Sequence, residues 1–246
     1  MSSTPAPDFG RLAAAYDRVR PADENWRRVY DHLVARAGLR AARVLDVGCG
    51  TGRLSQALAD EQAARVWGVD ASPEMLAVAR ANAPRLRFKE ARAEALPFKD
   101  DWFDAVVFWL VVHLVDRPAA FAEAGRVLAP GGRLAAVSFH ESHFDDYWLN
   151  EYFPSLEGID RARFPTQAGL ERELRDAGLD PVELERVTGR MSLTRAQAID
   201  KLEQRHISTF DLLPPDEVEA GVERARRELP ATIEYSLEFL VAVAQA

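Results

Sequence analysis

The feature that most constrains this chain is a regular alternation of short apolar segments and amphipathic segments between residues 43 and 139. Apolar, β-branched runs predict strands over 43–47, 65–69, 86–90, 103–108 and 133–139. Helical spacing of apolar residues predicts helices over 53–61, 72–82 and 118–128. Such alternation is typical of a parallel sheet with helices on both faces. In these sheets ligands bind beyond the carboxyl ends of the strands.

The alternation breaks after residue 139, where an irregular, aromatic-rich stretch covers 140–164. It resumes with a predicted helix over 166–177, a strand over 181–187, helices over 194–209 and 215–229, and a last strand over 233–243. We therefore predict an α/β fold: a doubly wound, mostly parallel, seven-stranded Rossmann-like sheet. Its helical cap would be built from the N-terminus and two insertions.

This interpretation divides the chain into alternating core and cap segments. They are an N-terminal helical cap segment (1–36), a cofactor-binding α/β core (37–140), a cap insertion (141–165), a core helix and strand (166–190), a helical cap (191–229) and a last core strand (230–246).

Composition excludes several classes of protein. The chain has 31 Lys and Arg against 39 Asp and Glu, a formal net charge of −8, which disfavours binding to nucleic acid or to an anionic membrane surface. A single Cys allows no intrachain disulfide and no metal site built on two Cys ligands. The sequence starts without an apolar targeting segment, and the apolar run 105–112 is too short to span a bilayer. We expect a cytoplasmic protein without a metal, and the oligomeric state stays open.

The segment Val44-Leu45-Asp46-Val47-Gly48-Cys49-Gly50-Thr51-Gly52 joins the first strand to a helix. Glycines at such a turn permit positive φ and let the backbone approach a ligand closely. Asp70 ends the second strand, where a carboxylate can accept hydrogen bonds from both hydroxyls of a ribose. The combination indicates a nucleoside ligand. The spacing is G-x-G-x-G, whereas a dinucleotide site prefers G-x-G-x-x-G.

This turn resembles the first motif of class I S-adenosylmethionine-dependent methyltransferases. Other segments are similar to further motifs of that family, in the family's order: Tyr16-Asp17-Arg18-Val19-Arg20-Pro21, Gly68-Val69-Asp70-Ala71-Ser72-Pro73-Glu74-Met75-Leu76, Glu94-Ala95-Leu96-Pro97-Phe98 with Phe103-Asp104-Ala105-Val106, and Arg126-Val127-Leu128-Ala129-Pro130-Gly131-Gly132. The first of these resembles the family's small-molecule branch.

The resemblance implies S-adenosyl-L-methionine as cofactor and a role for each matching position. Asp46 and the backbone of Gly48, Cys49 and Gly50 would hold the methionine end. The remaining contacts would come from Asp70 at the ribose, Ala71 or Met75 beside the adenine, Ala93 and Glu94 at the adenine edge, Phe108 at the end of the fourth strand, and Tyr16 and Arg20 closing over the cofactor. Many relatives carry Asp where this chain has Arg92, which cannot accept a hydrogen bond. Either Glu94 substitutes for that Asp or the contact to the adenine amino group is lost.

Methyl transfer from a sulfonium is an in-line displacement that depends mainly on alignment and exclusion of water. The candidate catalytic bases are His206, His113 and His140, each of which has an alternative structural role. Candidate substrate contacts are Tyr147, Trp148, Tyr152, Arg205 and Phe210, although the aromatic residues could equally form a small core of the cap. His143 and His32 are expected to be solvated or peripheral.

We therefore predict a methyltransferase that moves the methyl group of S-adenosylmethionine to a small organic acceptor. One alternative is a protein that binds the cofactor without catalysing transfer. Another is an NAD(P)-dependent oxidoreductase, which the glycine spacing disfavours. The methyl acceptor and the acceptor atom are not determined by the sequence.

Overall fold

A computed structural model of the chain describes Gly10 and residues 13–246. The strands in this part are β1 (Arg43–Val47), β2 (Arg65–Asp70), β3 (Arg87–Glu90), β4 (Phe103–Trp109), β5 (Leu128–Phe139), β6 (Val182–Thr194) and β7 (Thr232–Gln245). The α-helices are α1 (Tyr16–Val19), α2 (Glu24–Ala37), α3 (Arg53–Gln62), α4 (Pro73–Asn82), α5 (Arg117–Val127), α6 (Leu156–Arg163), α7 (Gln167–Asp176), α8 (Arg195–Glu203) and α9 (Pro215–Glu228).

The strands form one seven-stranded sheet in the order β3-β2-β1-β4-β5-β7-β6. Strands β1 to β5 pair in parallel, while β7 runs antiparallel between β5 and β6. The strand order reverses at β1 and β4, so their carboxyl ends open a crevice there. The predicted mostly parallel, seven-stranded sheet is confirmed.

Helix starts in the core follow the predicted local chemistry. Ser72 caps α4, because its side chain accepts a hydrogen bond from the backbone N–H of Met75, and Pro73 occupies the first turn. Thr166 caps α7 in the same way through the N–H of Gly169. These signals act within a few residues, so they could be recognised in the sequence.

Strands β5 and β6 are longer than predicted by five or more residues. β5 begins at Leu128, immediately after α5, rather than at Arg133. β6 continues to Thr194, because it pairs with β7 along its whole length, from Val182 opposite Ala244 to Thr194 opposite Thr232. Backbone hydrogen bonds to β7 therefore continue β6 past residue 187, where the apolar pattern in the sequence ends.

The regions outside the sheet differ more from the prediction. The stretch 140–164, predicted as irregular, contains the helix α6. The helix predicted over 194–209 ends at Glu203, since Arg205 adopts a left-handed backbone with φ of 45°. A short 3-10 turn, Ser208–Asp211, follows this break.

Side chains alternate between two cores on opposite faces of the sheet. Leu45 and Val106 pack on one face with residues of α5 and α7, whereas Val44 and Val107 pack on the other with residues of α2 and α3. A separate apolar cluster contains residues of α8, α9 and 147–156. Within the described residues, no helix has the length and apolar character needed to cross a bilayer.

Candidate active site

The turn between β1 and α3 is held by backbone hydrogen bonds and has one open side. The N–H groups of Gly48 and Cys49 both donate to the carbonyl oxygen of Val69, at 2.8 and 2.9 Å. Gly48 and Gly50 have φ of 69° and 54°, which favours glycine. A Cβ at Gly48 would lie 2.4 Å from Cγ2 of Val111, whereas a Cβ at Gly50 would meet no atom within 4 Å. The open space at Gly50 leaves room for a ligand against the backbone.

Asp46 places an unused hydrogen-bond acceptor beside this turn. Its side chain is buried, and its Oδ2 accepts a 2.6 Å hydrogen bond from Oγ of Ser55. Its Oδ1 is enclosed and has no hydrogen-bond partner. Burial raises the pKa of Asp46 to about 7, against the opposing effect of the Ser55 hydrogen bond. A buried acceptor without a partner is costly, which suits a carboxylate that receives a donor from a ligand.

Asp70 ends β2 and organises the backbone around it. Its Oδ2 accepts from the N–H of Gly50 at 2.8 Å, and its Oδ1 accepts from the N–H of Ser72 at 2.9 Å. Burial raises the pKa of Asp70, and these N–H groups oppose the shift. The carboxylate therefore fixes the glycine turn to the start of α4.

The other predicted adenine and ribose contacts lie around the ends of β2 and β3. Ala71 is exposed, Met75 and Ala93 are buried, and Oε1 of Glu94 accepts from the N–H of Asp116 at 2.9 Å. None of them lines the large cavity described next. Phe108, the predicted contact at the end of β4, is fully buried in the sheet core against Phe121 and does not line that cavity.

A cavity of about 500 Å³ opens at the carboxyl ends of β1 and β4. Asp46, Gly48, Cys49, Gly50 and Thr51 form one side of it. Aromatic side chains form much of the rest: Tyr16, Trp26, Trp109, Phe139, Phe144, Tyr147, Phe164, Tyr235 and Phe239. The lining thus combines the open side of the glycine turn with a largely apolar space.

Three histidines line this cavity, and two of them were predicted candidates. His113 stacks on Phe164 with ring centroids 4.0 Å apart, and His143 stacks on Phe139 at 4.2 Å. The Nδ1 atom of each of these two histidines is enclosed without a hydrogen-bond partner. His206 also lines the cavity, with its Nδ1 3.0 Å from the carbonyl oxygen of Lys201.

Burial sets the charge of these imidazoles. It lowers the pKa of His143 to about 4, that of His206 to about 3, and that of His113 well below its usual range. All three are therefore neutral near pH 7. The expectation that His143 is solvated or peripheral is wrong, because the side chain is 5% exposed and faces the cavity. His32 is peripheral, with its Nδ1 3.1 Å from Glu185.

His140 and most of the predicted substrate residues lie away from the cavity. His140 accepts a hydrogen bond from the N–H of Ser142 and so caps a short 3-10 turn. Arg205 is exposed. Trp148, Tyr152 and Phe210 belong to the separate apolar cluster. Of the five predicted substrate residues, Tyr147 is the one that lines the cavity.

The N-terminal helix α1 contributes cavity residues that are tied to both sides of the site. Asp17 accepts hydrogen bonds from Oγ1 of Thr51 at 2.8 Å and from Nη2 of Arg53 at 2.5 Å. Arg20 donates from Nε to the carbonyl oxygen of His206 at 2.8 Å. Tyr16 and Arg20 both line the cavity, with the Arg20 guanidinium 5.2 Å from the Tyr16 ring centroid.

A buried polar group formed by α6 and the 3-10 turn Ser208–Asp211 also faces the cavity, and the sequence contained no signal for it. Asp160, Ser208 and Thr209 line the cavity and are each less than 7% exposed. They are separated by almost 50 positions in the chain, and only the tertiary fold brings them together.

The parallel sheet, the glycine turn and the two carboxylates at the ends of β1 and β2 define an α/β protein with a nucleoside-type cofactor site. Residues 44–132 match the family described as "Methyltransferase domain". The chain is 42% identical over 129 residues to an uncharacterized methyltransferase of Mycobacterium tuberculosis, an alignment that covers 52% of this chain and 51% of that relative. It therefore spans about half the length of such relatives.

A longer alignment relates the chain to methyltransferase GfsG of Streptomyces halstedii. The two are 32% identical over 228 residues, which cover 85% of this chain and 76% of the relative. The fold is also similar to that of phosphoethanolamine N-methyltransferase 2 of Haemonchus contortus, solved with S-adenosyl-L-methionine. That likeness has a TM-score of 0.63 at 20% identity and covers 96% of this chain and 57% of the other.

The chain belongs to the class I S-adenosylmethionine-dependent methyltransferases. The defining cofactor of this class is S-adenosyl-L-methionine. The family assignment does not support the NAD(P)-dependent alternative.

Proposed function

We propose that this protein transfers the methyl group of S-adenosylmethionine to a small, largely apolar organic acceptor bound in the cavity. The observation that carries the proposal is the enclosed, unpartnered Oδ1 of Asp46 beside an open glycine turn, at the edge of an aromatic cavity. A ligand with a cationic amino group at this point would supply the missing donor.

The residues present fit the methionine end of the cofactor. Asp46 would accept from its amino group, and the backbone of Gly48, Cys49 and Gly50 would lie against it. We assign Asp70 to the ribose. The adenine contacts would come from Ala71, Met75, Ala93 and Glu94. Tyr16 and Arg20 would cover the bound cofactor. The bound sulfonium supplies an activated methyl group.

The protein's own contribution to the reaction is alignment and exclusion of water. The aromatic walls would exclude water from the acceptor, and the glycine turn would hold the methionine end of the cofactor. Holding two reactants in attack geometry lowers a barrier by about 7–11 kcal/mol. His206 and His113, the two predicted catalytic residues that line the cavity, would contribute as neutral polar groups.

We assign the segments outside the sheet to a cap over the strand ends. Residues 16–26, 139–164 and 191–209 contribute to the cavity wall, which supports the proposed cap segments 1–36, 141–165 and 191–229. The core segments would be 37–140, 166–190 and 230–246. Residues 1–9, 11 and 12 lie outside the described residues.

Calorimetric titration with S-adenosylhomocysteine tests the cofactor site. The wild type should bind, and Asp46→Asn should weaken binding about 10- to 100-fold through loss of a charge-assisted hydrogen bond. Asp104→Asn is the matched control, since Asp104 pairs with Arg43 at the opposite end of β4. Failure of the wild type to bind millimolar ligand would refute the proposal. Binding without methyl incorporation into any compound of a broad library would favour the non-catalytic alternative.

A further inference from the structure

The cavity wall contains a carboxylate that the proposed cofactor contacts do not use. Asp160 lies on α6 and is 3% exposed. Oγ1 of Thr209 donates to its Oδ1 at 2.6 Å. Both residues line the cavity.

Arg163 holds this polar group in place from the side of Oδ1. It donates from Nη1 to Oγ1 of Thr209 at 3.2 Å and from Nη2 to Oγ of Ser208 at 3.0 Å, and its Nη1 lies 3.6 Å from Oδ1 of Asp160. No described residue donates a hydrogen bond to Oδ2 of Asp160. One carboxylate oxygen is thus held by Thr209 and Arg163, while the other has no donor among the described residues.

Asp160 lies next to the aromatic wall that adjoins the end of β4. The N–H of Phe164 donates to the carbonyl oxygen of Asp160 at 2.9 Å, and the Phe164 ring stacks on His113. His113 belongs to the 3-10 turn that follows β4. Asp160, Phe164 and His113 all line the cavity, so we place the free carboxylate oxygen in the part of it that an apolar acceptor would occupy.

The Nδ1 atoms of the cavity histidines are poorly placed to accept a proton from a bound compound. The Nδ1 atoms of His113 and His143 are enclosed, and that of His206 lies against a backbone carbonyl. Burial raises the pKa of Asp160 to about 6, while it lowers the pKa of His143 to about 4. A general base is most effective when its pKa lies near the working pH, which favours Asp160.

We propose that Asp160 is the general base of this site and that the acceptor is an apolar compound carrying a hydroxyl group, which donates to Oδ2. The proposal rests on the methyl transfer proposed above. Arg163 and Thr209 are positioning residues, because they act through the other oxygen of the carboxylate. Arg163, whose Nη1 lies 3.6 Å from Oδ1 of Asp160, already balances the charge of this carboxylate, which favours a neutral hydroxyl over an ammonium group.

The transfer balances in atoms and charge. The hydroxyl proton moves to Oδ2 of Asp160, and an electron pair of the acceptor oxygen forms the bond to the methyl carbon. The carbon–sulfur bond breaks with its electron pair going to sulfur. A sulfonium and a carboxylate thereby become a neutral thioether and a carboxylic acid, and the acceptor becomes a methyl ether.

A pair of probes tests the hydroxyl preference without relying on turnover. Binding of 2-naphthol and of 2-methylnaphthalene, which replaces the hydroxyl by a methyl group, is measured by fluorescence titration with S-adenosylhomocysteine present at about pH 8. The wild type should prefer 2-naphthol by about tenfold or more. Asp160→Asn should lose the preference, and Asp145→Asn should keep it, since Asp145 is an exposed partner of Arg161.

The pH dependence of the same preference identifies the group responsible. In the wild type the preference should decline as pH falls through about 6. Thr209→Val should move the midpoint to higher pH, because it removes a hydrogen bond that stabilises the ionised carboxylate. An unchanged midpoint in this variant would overturn the assignment, as would retention of the preference in Asp160→Asn.

The remaining outcomes separate this proposal from the one on which it rests. Binding of neither probe, equal binding of both, or tighter binding of 2-naphthylmethylamine than of 2-naphthol would overturn the hydroxyl assignment. S-adenosylhomocysteine should bind Asp160→Asn within about twofold of the wild type, and a larger loss would place Asp160 in the cofactor site. Failure of the wild type to bind S-adenosylhomocysteine would instead refute the proposed function.

Discussion

At the scale of single residues, Asp70 has two roles that one substitution removes together. Its carboxylate accepts N–H groups from Gly50 and Ser72, which ties the glycine turn to the start of α4. The same carboxylate is the proposed partner of the cofactor ribose. Binding of the cofactor would therefore depend on Asp70 directly, through the ribose, and indirectly, through the shape of the glycine turn.

We predict that Asp70→Ala weakens S-adenosylhomocysteine binding by about 2 kcal/mol or more, since charge-assisted hydrogen bonds are lost. Isothermal calorimetry measures the change, with Asp104→Ala as a control at the far end of the sheet. Unchanged affinity in Asp70→Ala would remove this residue from the cofactor site.

Some residues of the candidate site could be predicted from the sequence, and others could not. Asp46 and Asp70 lie at the ends of strands that local patterns identify, so their placement follows from the predicted sheet. Asp160 and His143 lie in the stretch 140–164, which is predicted to be irregular. Their cavity positions depend on packing against residues far along the chain.

At the scale of elements, the glycine turn fits closely against the segment that follows β4. The space beyond Cα of Gly48 is filled by Val111, so a side chain at this position is both strained in φ and sterically blocked. Gly50 has the same left-handed backbone but faces open space. An added methyl group would therefore destabilise the fold more at Gly48 than at Gly50.

We predict that Gly48→Ala lowers the free energy of unfolding by about 2–4 kcal/mol, because overpacking adds to backbone strain. The double variant with Val111→Ala should recover part of this loss, since it relieves the contact but not the strain. Urea denaturation measures both effects. Equal stability of Gly48→Ala and the wild type would contradict the observed packing.

A second element-scale feature is the attachment of α1 to α8. Nζ of Lys201 donates to the carbonyl oxygen of Val19 at 2.7 Å, and an exposed ion pair joins Arg18 to Asp200 at 3.6 Å. Because exposed pairs contribute little, the half-buried Lys201 contact is the main polar tie between these two helices.

We predict that Lys201→Met increases amide hydrogen exchange over residues 16–20 about fivefold, which corresponds to roughly 1 kcal/mol of lost local stability. Lys99→Met is a suitable control, since Lys99 lies over Trp102. If exchange over 16–20 were equal in the two variants, the contact would not hold α1.

At the scale of the whole molecule, buried titratable groups give opposing pH dependences. Burial raises the pKa of Asp46 to about 7, so the stability from its protonated form is present below about pH 4 and is lost as pH rises through about 7. Burial lowers the pKa of His143 to about 4. The stability that its neutral form contributes is therefore present above about pH 6.5 and is lost as pH falls through about 4. The two effects partly cancel between about pH 4 and 6.5.

We predict that Asp46→Asn becomes more stable relative to the wild type by about 2–3 kcal/mol between about pH 5 and pH 8, because the variant has no carboxyl group to ionise in the fold. Unfolding curves without ligand at several pH values measure the difference. Asp104→Asn should show no such trend, since its ion pair with Arg43 lowers the pKa of Asp104 below this range. Parallel curves for Asp46→Asn and the wild type would contradict the prediction.

The sequence by itself determined the parallel core, the glycine turn, the two strand-end carboxylates and the family. These features depend on periodicity, capping and turn chemistry within about ten residues. Only the tertiary structure decided which side chains surround the cavity. The contacts that build its walls join residues as distant as Arg20 and His206, or Asp160 and Thr209, and packing between remote segments leaves no local pattern to recognise.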